Sequence, residues 1–278
     1  MKFTKKMMRR FGIEIEISGG DYDAMQIEIR EYNESVSSNQ RWVFKYEHCG
    51  REIVSPIVKG KAGFTALKTI CEIVTRHNGR VDSNCGLHVH LDITEWGNAG
   101  RTTLVENAKR FTKLYAKYED GIDSIMPRSR KAMNNSFCYG FKRGYNGGEV
   151  SVEDVFKKID EVSTFDGMRS FQNWASQGAG RYNKVNWYAY NTHSTVEIRH
   201  HSATTDFNKL ENWIQFLLGF VSVAEKRNKI APKNRVMNSI ESRDGILDHQ
   251  IDRMMALSGA DSKMKGYFTS RSASMRNR

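Results

Sequence analysis

The sequence predicts an α+β fold, in which short strands of alternating character are interleaved with longer amphipathic helices. Three strand-like stretches carry the prediction. Residues 11–17 place Ile13, Ile15 and Ile17 on one face and Glu14 and Glu16 on the other. Residues 86–92 set Leu87, Val89 and Leu91 against His88, His90 and Asp92, and residues 194–201 set Val196 and Ile198 against Glu197 and Arg199. A solvated strand face would carry Thr, Lys or Ser in mixed order. These faces carry carboxylates and imidazoles, the donors of a metal site. There is no internal repeat and no clean linker, so residues 1–260 are read as one domain, followed by a basic, Ser-rich flexible tail over 261–278.

Taken in order, the first strand ends at the turn signal Ser18-Gly19-Gly20-Asp21, and residues 25–29 can form another strand. Residues 41–47 and 50–55 read as a strand pair turning at His48, Cys49 and Gly50, with Pro56 as the stop. Helical spacing returns over 62–77 (Phe64, Leu67, Ile70, Cys71, Val74), before Asn78-Gly79, and over 103–120 (Leu104, Ala108, Phe111, Leu114, Tyr115, Tyr118). The pattern weakens from 121 to 182, apart from a short helix at 151–162 with Ser151 and Asp154 at its start. Residues 185–190 and 195–201 read as a hairpin turning near 191–193. The clearest helix starts at the N-cap Asp206 and runs to about 226, with Trp213 in its apolar stripe, and a last one covers 245–257.

Composition limits the classes open to the chain. With 278 residues, 39% hydrophobic and 27% charged, it can bury a sizeable core. A net charge of +11 and a pI near 9.4 favour a polyanionic or phosphorylated partner, such as a nucleotide or a nucleic acid. Four cysteines without CxxC spacing read as free thiols of a reducing, cytoplasmic setting. The most apolar run, 216–224, falls far short of the ~20 residues that span a bilayer, so no membrane partner is expected.

The strand faces point to metal chemistry. Groups at i and i+2 lie roughly 7 Å apart, too far to share one Mg²⁺ but suited to two neighbouring ions completed from other strands. Glu14 and Glu16 fit that role, with Glu52 and Glu197 closing the two sites around Mg²⁺ or Mn²⁺. Arg199, two residues beyond Glu197 and sharing its face with His201, is placed to reach a phosphate or carboxylate oxygen.

Five short motifs occur in a fixed order: Phe-Gly-Ile-Glu-Ile-Glu at 11–16, Glu-Ile-Val-Ser-Pro at 52–56, Gly-Leu-His-Val-His at 86–90, Arg-Tyr-Asn-Lys-Val-Asn at 181–186 and Thr-Val-Glu-Ile-Arg at 195–199. With the helix that follows them, they resemble the amidoligase family, carboxylate–amine ligases distantly similar to glutamine synthetase and glutamate–cysteine ligase. The resemblance implies an antiparallel sheet curled into a half-barrel like the glutamine synthetase catalytic domain, with helices on the convex side and ATP and Mg²⁺ on the concave face. It implies a metal role for Glu14, Glu16, Glu52, Glu197 and His88, and catalytic roles for Glu197, His88 and Arg199. His90, Arg181 and Asn186 would face the nucleotide. Such enzymes phosphorylate a carboxylate and let an amine displace the phosphate, which makes a carboxylate, an amine and ATP the expected partners. Two departures are visible: the Asp-x-Ser turn usual after the Trp42 strand is Glu47-His48-Cys49 here, and the stretch beyond about Lys226 lies outside the resemblance, which spans about residues 10–225.

The chemistry is physically consistent with these residues. Phosphoryl transfer to a carboxylate brings two anions together, so cations must neutralise the charge. Residues 128–149, with Arg128, Arg130, Lys142 and Arg143, are the expected lid and phosphate contact. Two other readings stay open: a Zn²⁺ hydrolase built on His88, His90 and Asp92, and a non-enzymatic basic protein that binds nucleic acid through its tail.

Overall fold

The computed structural model describes residues 8–131, 135–141, 150–232, 240 and 242–276. The chain begins with β1 (Phe11–Ile17), then α1 (Tyr22–Glu34), β2 (Val43–Glu47), β3 (Gly50–Val54), α2 (Gly60–Arg76) and β4 (Gly86–Asp92). Five helices follow: α3 (Thr94–Asn98), α4 (Arg101–Lys117), α5 (Glu119–Ser124), α6 (Arg128–Lys131) and α7 (Val152–Asp160). After α8 (Phe165–Ala175) come β5 (Val185–Asn186), α9 (Ala189–His193) and β6 (Thr195–Ser202). The chain ends in α10 (Phe207–Lys226), α11 (Arg243–Ser258) and α12 (Ser262–Arg276). Among the described residues no helix is long and apolar enough to cross a membrane.

The six strands form one open sheet in the order β2-β3-β1-β4-β6-β5, with every neighbouring pair antiparallel. Alternation makes it two-faced. Ile13, Ile15, Ile17, Ile53, Leu87, Val89, Leu91, Val196 and Ile198 are buried on one face. The long helices cover it: Phe64 of α2 packs on Phe11 of β1, with ring centres 5.3 Å apart, and Trp213 of α10 packs on His201 of β6 at 5.2 Å. Asp206 starts α10 as its sequence suggests, accepting the amides of Asn208 and Lys209.

Several expectations are corrected. Residues 25–29 lie in α1, not in a strand, because Met25 and Ile29, four apart, are buried while Ile27 is 53% exposed. Asp21 caps that helix by accepting the Ala24 amide. The 185–190 strand stops after Asn186, whose Oδ1 accepts the Tyr188 amide at 2.9 Å and draws the chain out of the ladder into α9. Residues 121–182 hold α5 to α8, and Phe171 of α8 stacks on Phe141 at 5.8 Å. The stretch expected as a flexible tail is α12, with Met264 and Phe268 buried and Ser272 bonded to Ser124 of α5. Its basic residues, Lys263, Lys265, Arg271 and Arg276, are spread along it, and Arg276 pairs with Asp248.

Gly219 sets how closely α10 and α11 approach: a Cβ there would lie 2.3 Å from the Ser258 carbonyl oxygen. Gly219→Ala is expected to push the two helices apart and to lower the stability by about 1–3 kcal/mol, read as a lower urea midpoint at unchanged slope.

Candidate active site on the polar face of the sheet

Register brings the acidic and basic groups together. Glu14 lies opposite His88, Glu16 opposite Glu52, and His90 opposite Glu197. Cross-strand partners point the same way with Cβ atoms about 5 Å apart, so residues far apart in the chain meet on one face. Ligand atoms of Glu14, His90 and Glu197 lie within 4.8 Å of one another, and those of Glu14, Glu52 and His88 do the same. Glu14 belongs to both groups. Its carboxylate is 3.0 Å from His88 Nδ1 and 3.6 Å from His90 Nε2.

Glu16 belongs to neither group. Its Oε2 accepts the Gly86 amide at 2.5 Å and the Cys49 thiol at 3.6 Å, while its Oε1 lies 3.6 Å from His88 Nε2. The structure thus gathers two possible ligand groups that share Glu14 and leaves Glu16 beside them, against His88. The physical reason is that Glu16 stands at the end of the β1–β4 ladder, where the Gly86 amide claims it.

Glu197 is almost fully buried and held from two sides, by Asn186 Nδ2 at 2.6 Å and by Arg199 Nη1 at 2.5 Å. Asn186 is itself clamped by Gln172, so it fixes Glu197 in place. Arg199 Nη1 also comes within 3.3 Å of His88 Nδ1. Arg130 is 97% buried, by its 3% exposure, and gives Nη2 to the Asn84 carbonyl at 3.2 Å. A Cβ on Gly86 would lie 2.9 Å from His88 Nε2 and 3.4 Å from both Arg130 Nη2 and Glu16 Oε2, so glycine is what lets these three groups converge. The Nε atoms of Arg130 and Arg199 are buried without a hydrogen-bond partner among the described residues.

Other expected residues lie elsewhere. Arg128 is exposed on α6, and Arg181 is exposed with its guanidinium 5.2 Å from the Tyr182 ring. Lys142 and Arg143, with residues 132–134 and 142–149 of the expected lid, lie outside the described residues. Asp92 is taken by Arg10 and Thr94 and joins neither ligand group, which removes the third ligand of the Zn²⁺ hydrolase reading. His201 does not share the Arg199 face. A bulge in β6 opposite His88 shifts the alternation, so His201 turns into the core against Trp213.

Sequence reasoning missed Lys45, whose Nζ is 2.7 Å from Glu52 Oε2; its place opposite Glu52 in the predicted strand pair was the available signal. It also missed a buried network behind the site. Lys184 is fully enclosed and pairs with Glu119 at 2.9 Å and Asp123 at 2.7 Å. Asp123 also meets His200 at 2.5 Å, and the other ring nitrogen of His200 meets Tyr115 at 2.8 Å. The Lys184 carbonyl accepts the Arg199 amide at 3.0 Å, so the network anchors the segment that presents Arg199.

The charge state of the face suits a divalent cation. Burial, and after it the Glu14 charge, push the Glu52 carboxyl above its ordinary value despite Lys45. Glu14 goes the other way: burial opposes its charge, but hydrogen bonds from His88 and His90 outweigh that and hold it far below the usual carboxylate range. Hard carboxylate oxygens with imidazole nitrogens, crowded enough to repel one another, fit Mg²⁺ or Mn²⁺. Glu14, Glu52, Glu197, His88 and His90 are the residues that would hold it.

The family model described as "Putative amidoligase enzyme" matches residues 22–221. That span contains Glu52, His88, His90, Asn186, Glu197 and Arg199 and begins after β1. No curated protein matches the chain. Among solved structures, a bifunctional glutathione synthetase from Pasteurella multocida is similar at 10% identity and a TM-score of 0.49, over 98% of this chain and 47% of that one, so the chain spans about half the length of that protein.

Burial opposes charge on His90, but its hydrogen bond to Glu14 and the Glu197 and Glu14 charges outweigh it and raise the imidazole above its ordinary value. A raised folded-state value means the stabilisation is fully present below pH 6.5 and lost as pH rises through the folded-state value. The urea midpoint of metal-free protein is expected to fall over that window, with a shallower fall in His90→Asn.

Proposed function

We propose, because the chain belongs to the amidoligase family, that it joins a carboxylate to an amine at the expense of ATP, through an acyl phosphate, on the polar face of its sheet. The observation that carries this reading is the sharing of Glu14 between two ligand groups drawn from four strands. On this reading the sheet is the curled half-barrel of glutamine synthetase-type ligases. The four free cysteines agree with a reducing, cytoplasmic setting.

Each residue has a physical task. Glu14, Glu52, Glu197, His88 and His90 hold the divalent cation or cations, Mg²⁺ or Mn²⁺, which supply charge neutralisation for the phosphates when bound. Arg199 and Arg130 present guanidinium groups whose Nε atoms are bare. They take up the negative charge that builds as the carboxylate attacks the terminal phosphate of ATP. Asn186 keeps Glu197 ionised and aimed. Glu197 stays below its usual range because Arg199, His88 and His90 together outweigh the burial that opposes its charge. The amine then displaces the phosphate, and exclusion of water decides whether amide or free acid results.

ADP release measured across carboxylate and amine pairs, with the products read by mass spectrometry, tests this. Activity is expected to need Mg²⁺, a carboxylate and an amine together. Glu14→Ala and Glu197→Ala are expected to lower it by about 100-fold or more while the circular dichroism spectrum stays that of the parent. Full activity in either variant overturns the assignment.

A further inference from the structure

A pair of aromatic rings stands at the edge of the polar face, beside Arg199. Phe137 and Tyr182 meet edge to face, with ring centres 5.4 Å apart and planes at 88°. The guanidinium of Arg199 lies 5.6 Å from the centre of the Tyr182 ring, and that of Arg181 lies 5.2 Å from it. Arg199 thus links the rings to the ligand groups: its Nη1 holds Glu197 at 2.5 Å while its charge rests against Tyr182. Phe137 is left 53% exposed, although its neighbour Cys138 is fully buried.

Backbone bonds hold the pair in place. The Tyr139 amide donates to the Tyr182 carbonyl at 2.8 Å and the Lys184 amide to the Tyr139 carbonyl at 2.9 Å, so the two ring-bearing segments run side by side. Asn135 accepts the Phe137 amide at 2.8 Å, and its Nδ2 donates to the Ser129 carbonyl at 2.6 Å. One exposed apolar ring is ordinary on a protein surface. This one is fixed from both sides and is joined, through Tyr182 and Arg199, to the carboxylates of the candidate site.

We propose, resting on the ligase reading above, that Phe137 is the stacking platform for the adenine ring of ATP. Tyr182 backs it, and the triphosphate runs past Arg199 toward the groups built on Glu14. A flat heterocycle laid on the open ring gains dispersion contacts and covers apolar surface. The two guanidinium groups around Tyr182 suit a ligand whose flat part leads into a polyanion. The same charges repel the ammonium form of an aromatic amine, which disfavours that occupant. An aromatic carboxylic acid carries the right sign but far less charge than a triphosphate.

The test is isothermal titration calorimetry of the full-length chain in Mg²⁺, with ATP and, separately, with inorganic tripolyphosphate, which has no base. Phe137→Ala is expected to weaken ATP binding about tenfold while tripolyphosphate stays within about twofold of the parent. Phe137→Trp keeps a flat ring and is expected to bind ATP at least as tightly as the parent does. Because Phe137 is exposed, both variants leave the core intact. Three results overturn the platform and leave the ligase reading standing: unchanged ATP affinity in Phe137→Ala, as an aromatic acid on the ring would give; equal losses for ATP and tripolyphosphate; or the same loss of ATP affinity in Phe137→Trp as in Phe137→Ala. A parent that binds neither ATP nor tripolyphosphate overturns both.

Discussion

Everything about the polar face depends on strand register. Glu14 faces His88, Glu16 faces Glu52 and His90 faces Glu197 because β1, β3, β4 and β6 pair as they do. A slip of one residue in β1 would turn Glu14 and Glu16 into the apolar layer and bring Ile13 and Ile15 to the surface. Burying an ionised carboxylate without a partner is far costlier than any single strand contact is favourable. The apolar side of the sheet, sealed by α2 and α10, is therefore what makes the polar side possible.

The charge balance on that face follows from its geometry. Glu14 is stabilised as an anion by two imidazoles, while Glu52, a neighbour on the adjacent strand, is pushed toward protonation. The two differ because Glu14 has two imidazole donors, whereas burial and then the Glu14 charge act on Glu52 and Lys45 only partly offsets them. Lys45, Arg130 and Arg199 stand around the group, and two of the three keep a buried nitrogen unspent. On the proposed function, those nitrogens would meet an incoming anion beside the carboxylates that would hold a metal ion.

Behind it, a second set of charges has a different physics. Lys184, Glu119 and Asp123 are mutually paired in the interior. Burial opposes the Lys184 charge, and Asp123 and Glu119 outweigh it, so the ammonium is retained. Burial drives His200 neutral, as Lys184 also does. These groups satisfy one another and hold the backbone that carries Arg199. A largely buried network of this kind serves position.

How much was legible follows from the range of each signal. Period-two alternation is local, so β1, β4 and β6, their dry faces and Glu14, His88, His90, Glu197 and Arg199 could be read directly from the chain. The caps at Asp21 and Asp206 are equally local, although Asp21 was read as a turn and α1 was missed. Residues 262–276 have no strong apolar stripe, and what docks them as a helix is contact with α5 and α11. The bulge that inverts His201, the place of Glu16 beside the ligand groups and the meeting of Cys49 with Glu16 depend on cross-strand partners far away in sequence. Alternation determines which face a side chain takes; only pairing decides whom it meets there, because that choice minimises the free energy of the whole sheet and not of any one strand.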